Sequence, residues 1–332
     1  MASARPAAPA GPIGLILPTF AQESPPRGAA SSIGELTDLC REAERLGVGA
    51  LWACDHLFWH GPTLECLTAL TLAAGATDHA SLGTCILQLP LRQPAVVAKQ
   101  AATIQALSGG RFVLGVGVGS HPGEYDEAGI AYEERGRLLD EGIRELRRCW
   151  SASLEPTGHE GVGGEEPYDG NGNGEAPRPL YRQLPVPPPV PVWVGGSSSA
   201  ARRRAARLGD GWIPLFIDPV RYRDDVEHLA AEAAAAGRAP DAVVPAMVLF
   251  VSVDENPVIA LQRGTRWMSS MYALPPKAFE RHLVSGTAHE VAEVIARYRA
   301  AGAKHVVVYV TDDHPLEHFG RLVAALAEPA RR

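Results

Sequence analysis

Short apolar runs alternate with amphipathic segments along almost the whole chain. The apolar runs predict strands at 13–17, 50–54, 82–89, 111–118, 192–194, 211–215, 243–253 and 304–310. Apolar residues at helical spacing predict helices between them, including 65–76, 94–107, 133–150, 199–208, 219–236, 287–301 and 316–327. Eight strands that alternate with helices predict an α/β fold, a (β/α)8 TIM barrel.

The alternative fold is a doubly wound open sheet, which usually places the pattern G-x-G-x-x-G after its first strand. Here Gly115, Gly117 and Gly119 follow the fourth predicted strand, and Pro122 stands where the last glycine should be. The barrel is therefore the better prediction.

Residues 151–191 interrupt the alternation. They are rich in Gly, Pro and Asn and too long for an ordinary strand-to-helix connection, so we expect a lid, an Ω-loop or a disordered insertion. The Ala/Pro-rich residues 1–12 predict a disordered tail. We thus expect a single barrel domain over 13–330, with its long insertion between strands four and five.

Composition narrows the class of partner. The 332 residues are 46% hydrophobic and carry a formal charge of −7, which argues against nucleic acid or an anionic membrane as the main partner. The five cysteines form no C-x-x-C pair, as is typical of reduced thiols in a cytoplasmic protein. No apolar stretch is long enough to span a membrane, and 1–12 contain no signal-peptide core.

The ends of the predicted strands carry the candidate chemistry, because TIM barrels build their active sites there. Asp55 and His56 follow the second strand, and a histidine beside a carboxylate can serve as general acid or base. A histidine that only supports a loop is an equal alternative. His56 and His60 have a metal-ligand spacing only if they share a helix, so we predict no metal site.

Glycines at two other strand ends are candidates for cofactor binding. Gly195, Gly196 and Ser197 open a predicted helix, whose N-terminus can bind a phosphate, although a tight turn would need the same glycines. Gly117 and Gly119 either relieve crowding or let a flat ring approach the backbone.

Longer segments resemble the luciferase-like monooxygenase superfamily. These are LWACDHLFW (51–59), LSGGRF (107–112), GVGVG (115–119), GDGW (209–212) and the stretches 191–214 and 285–310. The Asp-His pair and LGTCILQLPLR (82–92) most resemble the branch that uses the deazaflavin coenzyme F420 rather than FMN. The resemblance implies a barrel with the cofactor ring at its mouth, and homodimers.

Roles for single residues follow from this resemblance. It implies a cis peptide at Cys85–Ile86 behind the ring, Asp55 at the pyrimidine side of the ring, and His56 as proton donor or acceptor. Gly195, Gly196 and Ser197 would hold the cofactor phosphate, and Gly117 and Gly119 would lie against the cofactor.

Two further positions concern the substrate. Trp59 would form an aromatic wall on the substrate side. Sugar-phosphate dehydrogenases of this branch have a glutamate where Ser120 stands here, and the nearest carboxylate is Glu124. A sugar-phosphate substrate is therefore not predicted.

The sequence thus predicts an F420-dependent oxidoreductase that transfers a hydride between the deazaflavin and a small apolar or aromatic substrate. A separate enzyme would supply the reduced cofactor. The alternatives are an FMN-dependent two-component monooxygenase, which uses O2 and reduced flavin, and a non-catalytic flavin-binding barrel.

Overall fold

The computed structural model describes residues 13–20, 32–59, 61–151 and 188–328. Its strands are β1 (Gly14–Ile16), β2 (Ala50–Ala53), β3 (Ser81–Thr84), β4 (Leu87–Gln88), β5 (Phe112–Gly117), β6 (Val192–Gly195), β7 (Gly211–Ile213), β8 (Val244–Val253), β9 (Leu283–Gly286) and β10 (His305–Val310). Its α-helices are α1 (Ile33–Arg45), α2 (Cys66–Ala76), α3 (Pro94–Leu107), α4 (Pro122–Glu127), α5 (Arg135–Ser151), α6 (Ser199–Leu208), α7 (Pro219–Ala235), α8 (Pro257–Tyr272), α9 (Ala288–Ala300) and α10 (Pro315–Ala327).

Eight parallel strands close into a barrel. β1, β2, β3, β5, β6, β7, β8 and β10 pair side by side in that order. β10 closes the ring by pairing with both β1 and β8, as at Gly14↔Val307 and His305↔Ala246. The predicted (β/α)8 TIM barrel is confirmed.

Side chains at the helix starts explain several boundaries. Ser32 caps α1 by accepting a hydrogen bond from the Glu35 amide at 3.1 Å. At α9, Thr287 and Glu290 form a full capping box, in which each side chain accepts a hydrogen bond from the other residue's backbone amide.

Two segments differ from the prediction. The predicted strand 82–89 is split into β3 and β4 by a cis peptide between Cys85 and Ile86, which confirms the cis bond implied by the resemblance. The four-residue β9 lies between the predicted strand 243–253 and the predicted helix 287–301, where no strand was predicted. It pairs with the last residues of β8 outside the closed ring. A strand this short carries too few positions to show alternation.

Large side chains fill the barrel interior towards the N-terminal ends of the strands. Trp52 and Trp193 are buried there, with ring centroids 5.4 Å apart. The Trp52 indole donates to Nε2 of His305 at 3.2 Å. Burial lowers the pKa of His305 to about 3, so this imidazole is neutral. Because these side chains fill that part of the interior, open space lies towards the C-terminal ends of the strands.

Two predicted segments lie outside the described residues. They are the tail (1–12) and nearly all of the insertion, of which 152–187 are not described. Among the helices that are described, none is both long and apolar enough to cross a membrane.

Candidate active site

The C-terminal strand ends surround a cavity of about 250 Å³. The segments after β2 and β3 contribute five of the predicted site residues to its lining, namely Asp55, His56, Trp59, Cys85 and Ile86. The last residues of β5 and β6 and the segments after them contribute five more, namely Gly117, Gly119, Ser120, Gly195 and Gly196. The structure therefore brings together all the predicted site residues except Ser197.

The side chain of Ile86 explains two of the glycines. A Cβ atom at Gly117 would lie 2.7 Å from Ile86 Cδ1, and one at Gly195 would lie 2.6 Å from Ile86 Cγ2. Both distances are too short for real carbon contacts. Glycine is therefore needed at these positions for Ile86 to reach the cavity wall, whether or not a ring also packs there.

A buried carboxylate holds His56 in place. Nδ1 of His56 lies 2.7 Å from Oε2 of Glu124, whose side chain is 0% exposed, whereas 17% of the His56 side chain is exposed. The Glu124 carboxylate also accepts hydrogen bonds from the Leu57 amide at 2.9 Å and the Phe58 amide at 3.2 Å. Because His56 is bonded through Nδ1, its Nε2 is the ring nitrogen available to a molecule in the cavity.

Burial by itself raises the pKa of Glu124, but hydrogen bonds from His56 and Gln88 outweigh burial, and the pKa lies below its usual value. The carboxylate is therefore ionised near neutral pH and can stabilise a positive charge on His56. This role of Glu124 could not be predicted from the sequence, because the six-residue α4 is too short to show a helical pattern. The proline at the start of α4 was the sequence signal for this helix.

Asp55 is turned towards the protein. Its Oδ2 accepts from the Gln88 amide at 2.9 Å, and its Oδ1 pairs with Arg92 at 2.5 Å. Arg92 also pairs with Glu65 at 3.3 Å. Both carboxylate oxygens thus fix the loop that carries His56, and a contact between Asp55 and a cofactor ring stays a prediction.

The same area contains three residues of types that can bind a metal ion, namely Asp55, Glu65 and Cys66. Their donor atoms lie within 4.8 Å of one another. The Arg92 guanidinium already forms ion pairs with both carboxylates there.

Aromatic side chains form the rim of the cavity. The His56 and Trp59 rings are stacked with centroids 3.8 Å apart, and Phe20 meets the His56 ring edge-on at 5.6 Å. His121 meets Trp59 edge-on at 5.6 Å. Trp59 therefore stands beside the candidate acid–base residue, and its role as an aromatic wall over the cofactor ring stays a prediction.

The thiols in the cavity are neutral. Burial raises the pKa of Cys85 to about 12 and that of Cys54 well above its usual value. Because the thiolate is the nucleophilic form, neither cysteine is activated for covalent catalysis.

Ser197 and the arginines near it form hydrogen bonds and ion pairs within the protein. The Ser197 hydroxyl bonds to the backbone of Leu215, and its carbonyl accepts from Arg221 at 2.6 Å. Arg202 pairs with Asp225 and Glu232, and Arg204 pairs with Asp140. Arg221 of helix α7 is thus a cation beside the predicted phosphate site, and it also pairs with Asp225 at 3.3 Å.

A family profile described as luciferase-like monooxygenase matches residues 12–263. The chain belongs to the luciferase-like monooxygenase family. A curated relative is the phthiodiolone/phenolphthiodiolone dimycocerosates ketoreductase of Mycobacterium tuberculosis, 29% identical over 214 residues. The aligned part covers 64% of this chain and 54% of that relative, so the match spans just over half of the ketoreductase.

Two solved structures of the same fold bind different cofactors. An F420-dependent secondary alcohol dehydrogenase, in complex with an F420–acetone adduct, has a TM-score of 0.74 at 20% identity, with 96% of this chain and 99% of that chain covered. The oxygenating constituent of the 3,6-diketocamphane monooxygenase of Pseudomonas putida, in complex with FMN, has a TM-score of 0.65 at 18% identity, with 97% and 100% covered. This luciferase-like protein thus shares its fold with users of either cofactor.

Proposed function

We propose that this luciferase-like protein is an F420-dependent oxidoreductase that transfers a hydride between the deazaflavin and a small uncharged substrate. The observation that carries the proposal is the pairing of His56 with the buried Glu124 at the rim of an apolar cavity. The pair supplies a proton donor and acceptor, which a carbonyl–alcohol interconversion needs in addition to the hydride.

The cavity fits a planar, uncharged ring. Apolar side chains from opposite strands, such as Ile86, Val248 and Phe250, provide flat walls. Two buried polar atoms of residues that line the cavity, Oε1 of Gln88 and the hydroxyl of Tyr309, have no partner in the described part of the chain. An edge of a ring that carries carbonyl and N–H groups would satisfy such atoms.

The residues that would hold the cofactor are those of the prediction. Asp55, Cys85, Ile86, Gly117 and Gly119 would border the ring, and Gly195, Gly196 and Ser197 would hold the phosphate. Bound there, the deazaflavin supplies the donor or acceptor of the hydride.

The protein's own contribution is proton transfer. In the reductive direction His56 holds the proton at Nε2 and delivers it to the substrate oxygen, while Glu124 stabilises the imidazolium through Nδ1. In the oxidative direction the same nitrogen accepts the proton. The aromatic rim of Phe20 and Trp59 restricts access of water to this nitrogen.

The cavity lining indicates the class of substrate. It contains no lysine or arginine among the residues that the structure describes, so it offers no permanent cation to a phosphate or carboxylate on the substrate. Trp59 and Ser120 stand on the proposed substrate side. A small ketone or alcohol fits this lining, and the ketoreductase relative supports the same class of reaction.

We also propose a homodimer in the cytoplasm, served by a separate enzyme that reduces the cofactor. The cytoplasmic location is supported by the five cysteines, all of which are free. The dimer and the reducing partner rest on the family resemblance.

The second candidate is an FMN-dependent monooxygenase, supported by the FMN-bound structure of the same fold. The two candidates differ in their need for oxygen. We expect the protein to oxidise reduced F420 in the presence of a small-ketone panel under anaerobic conditions, and a His56→Asn variant to lose most of this activity. Oxygen-dependent turnover with reduced FMN, and none with F420, would contradict the proposal. Cofactor binding with full activity in the His56→Asn variant would contradict the role of His56.

A further inference from the structure

Tyr309 is exceptional among the buried tyrosines. It lies on β10, lines the cavity and is 3% exposed, yet its hydroxyl has no hydrogen-bond partner in the described part of the chain. Three other buried tyrosines are bonded to carbonyl oxygens: Tyr222 to Ala246 at 2.9 Å, Tyr298 to Ile217 at 2.6 Å, and Tyr125 to Val118. Buried hydroxyl groups are normally paired, so the exception needs an explanation.

The surrounding rings fix the position of this hydroxyl. The Tyr309 ring is stacked on Phe250 with centroids 5.2 Å apart, and Trp267 meets it edge-on at 4.9 Å. A ring that is packed on two sides cannot swing out to find a partner in solvent. Any partner must therefore come to the hydroxyl.

The chemistry around Tyr309 makes it a neutral donor. Burial raises its pKa well above the usual value, and Cys54, Tyr272 and Cys85 raise it further. These neighbours also carry neutral thiol or hydroxyl groups at physiological pH, because their own pKa values are raised by burial. The deep end of the cavity thus offers O–H and S–H donors and no charge.

We propose that the Tyr309 hydroxyl donates a hydrogen bond to an acceptor atom of the planar cofactor ring. This inference rests on the proposed function, in which the ring occupies the cavity. Tyr309 lies deeper than His56, whose side chain is 17% exposed at the rim. The deep end belongs to the ring in this arrangement, and the substrate approaches His56 and Trp59 from the rim.

Tyr309→Phe tests the assignment, because it removes one oxygen and no hydrogen bond within the described protein. Tyr222→Phe is the matched control: it also removes a buried tyrosine hydroxyl, but one that is bonded to Ala246 and is not among the cavity-lining residues. Oxidised F420 is titrated into each apo protein and followed by fluorescence, and unfolding of the apo proteins by urea is measured alongside.

We expect Tyr309→Phe to raise the Kd for F420 by about 3- to 10-fold, the effect of one neutral hydrogen bond, without lowering apo stability. Tyr222→Phe should do the reverse, lowering apo stability and leaving the Kd unchanged. A Tyr309→Phe protein that binds F420 within about twofold of the wild type would overturn the proposal.

The titrations also distinguish a failure of the proposed function from a failure of the Tyr309 assignment. If the wild type binds FMN and not F420, the F420 assignment is wrong, and the same two variants titrated with FMN decide whether Tyr309 contacts the ring. A raised Kd for FMN in Tyr309→Phe alone would support the contact, and an unchanged Kd would overturn it.

Discussion

Removing the buried carboxylate of Glu124 separates its structural role from its chemical role. Glu124→Ala leaves the amides of Leu57 and Phe58 and the Nε2 group of Gln88 without their acceptor. Glu124→Gln keeps an oxygen that both backbone amides can use, but it places an NH2 group opposite His56 and removes the negative charge. The two variants therefore damage different parts of the site.

The magnitudes follow from the number of groups left unsatisfied. A buried donor without an acceptor costs about 1–3 kcal/mol. Gln88 is buried, whereas Leu57 is half-buried and Phe58 is exposed, so Glu124→Ala should lower the free energy of unfolding by about 3 kcal/mol. Glu124→Gln should cost only about 1–2 kcal/mol. Its larger effect is on catalysis: the loss of a charge-assisted bond worth about 1.5–3 kcal/mol should lower kcat by roughly 10- to 100-fold.

Urea unfolding of the apo proteins measures the first effect, and nitrogen-15 NMR of the His56 imidazole measures the second without any substrate. In the wild type we expect neutral His56 to carry its proton on Nδ1, bonded to Glu124, and in Glu124→Gln we expect this tautomer to be lost. Equal stability of the two variants, or an unchanged His56 tautomer in Glu124→Gln, would refute the reasoning.

Three further outcomes are expected. The pKa of His305 is about 3 in the folded state and 6.5 in an ordinary histidine, so between these pH values the unfolded chain binds one more proton than the folded protein. As the pH falls below about 6.5, the free energy of unfolding should therefore fall by up to about 1.4 kcal/mol per pH unit. The slope should be shallower in His305→Gln. Gly195→Ala should lower the unfolding free energy by about 1–3 kcal/mol, and by less in an Ile86→Ala background, if its Cβ meets Ile86. Arg221→Gln should weaken FMN binding by roughly 3- to 10-fold in titrations and leave riboflavin, which has no phosphate, unaffected; equal effects on both would contradict a phosphate contact.

The barrel could be predicted from the sequence because parallel strands buried on both faces read as separate apolar runs. Strand ends then identified the residues around the cavity, since the barrel brings all C-terminal ends to one face. β9 was not predicted because its four residues, which pair outside the closed ring, are too few to show a pattern of alternating apolar and polar positions.

The partners of the site residues could not be predicted. Glu124 reaches His56 across 68 positions, and Arg221 reaches Ser197 across 24. Such contacts depend on how loops after different strands fold over one another, which local periodicity does not encode. Ile86 is a similar case: its residue type predicts core, but its backbone directs it to the cavity wall beside Gly117 and Gly195.

The most direct test of the central claim is a fluorescence titration of the apo protein with oxidised F420 and, separately, with FMN. We expect saturable binding of F420 at a lower concentration than FMN, and weaker binding of F420 after Tyr309→Phe. Tight binding of FMN with weak or no binding of F420 would contradict F420 dependence and would favour an oxygen-using flavin enzyme of the same family.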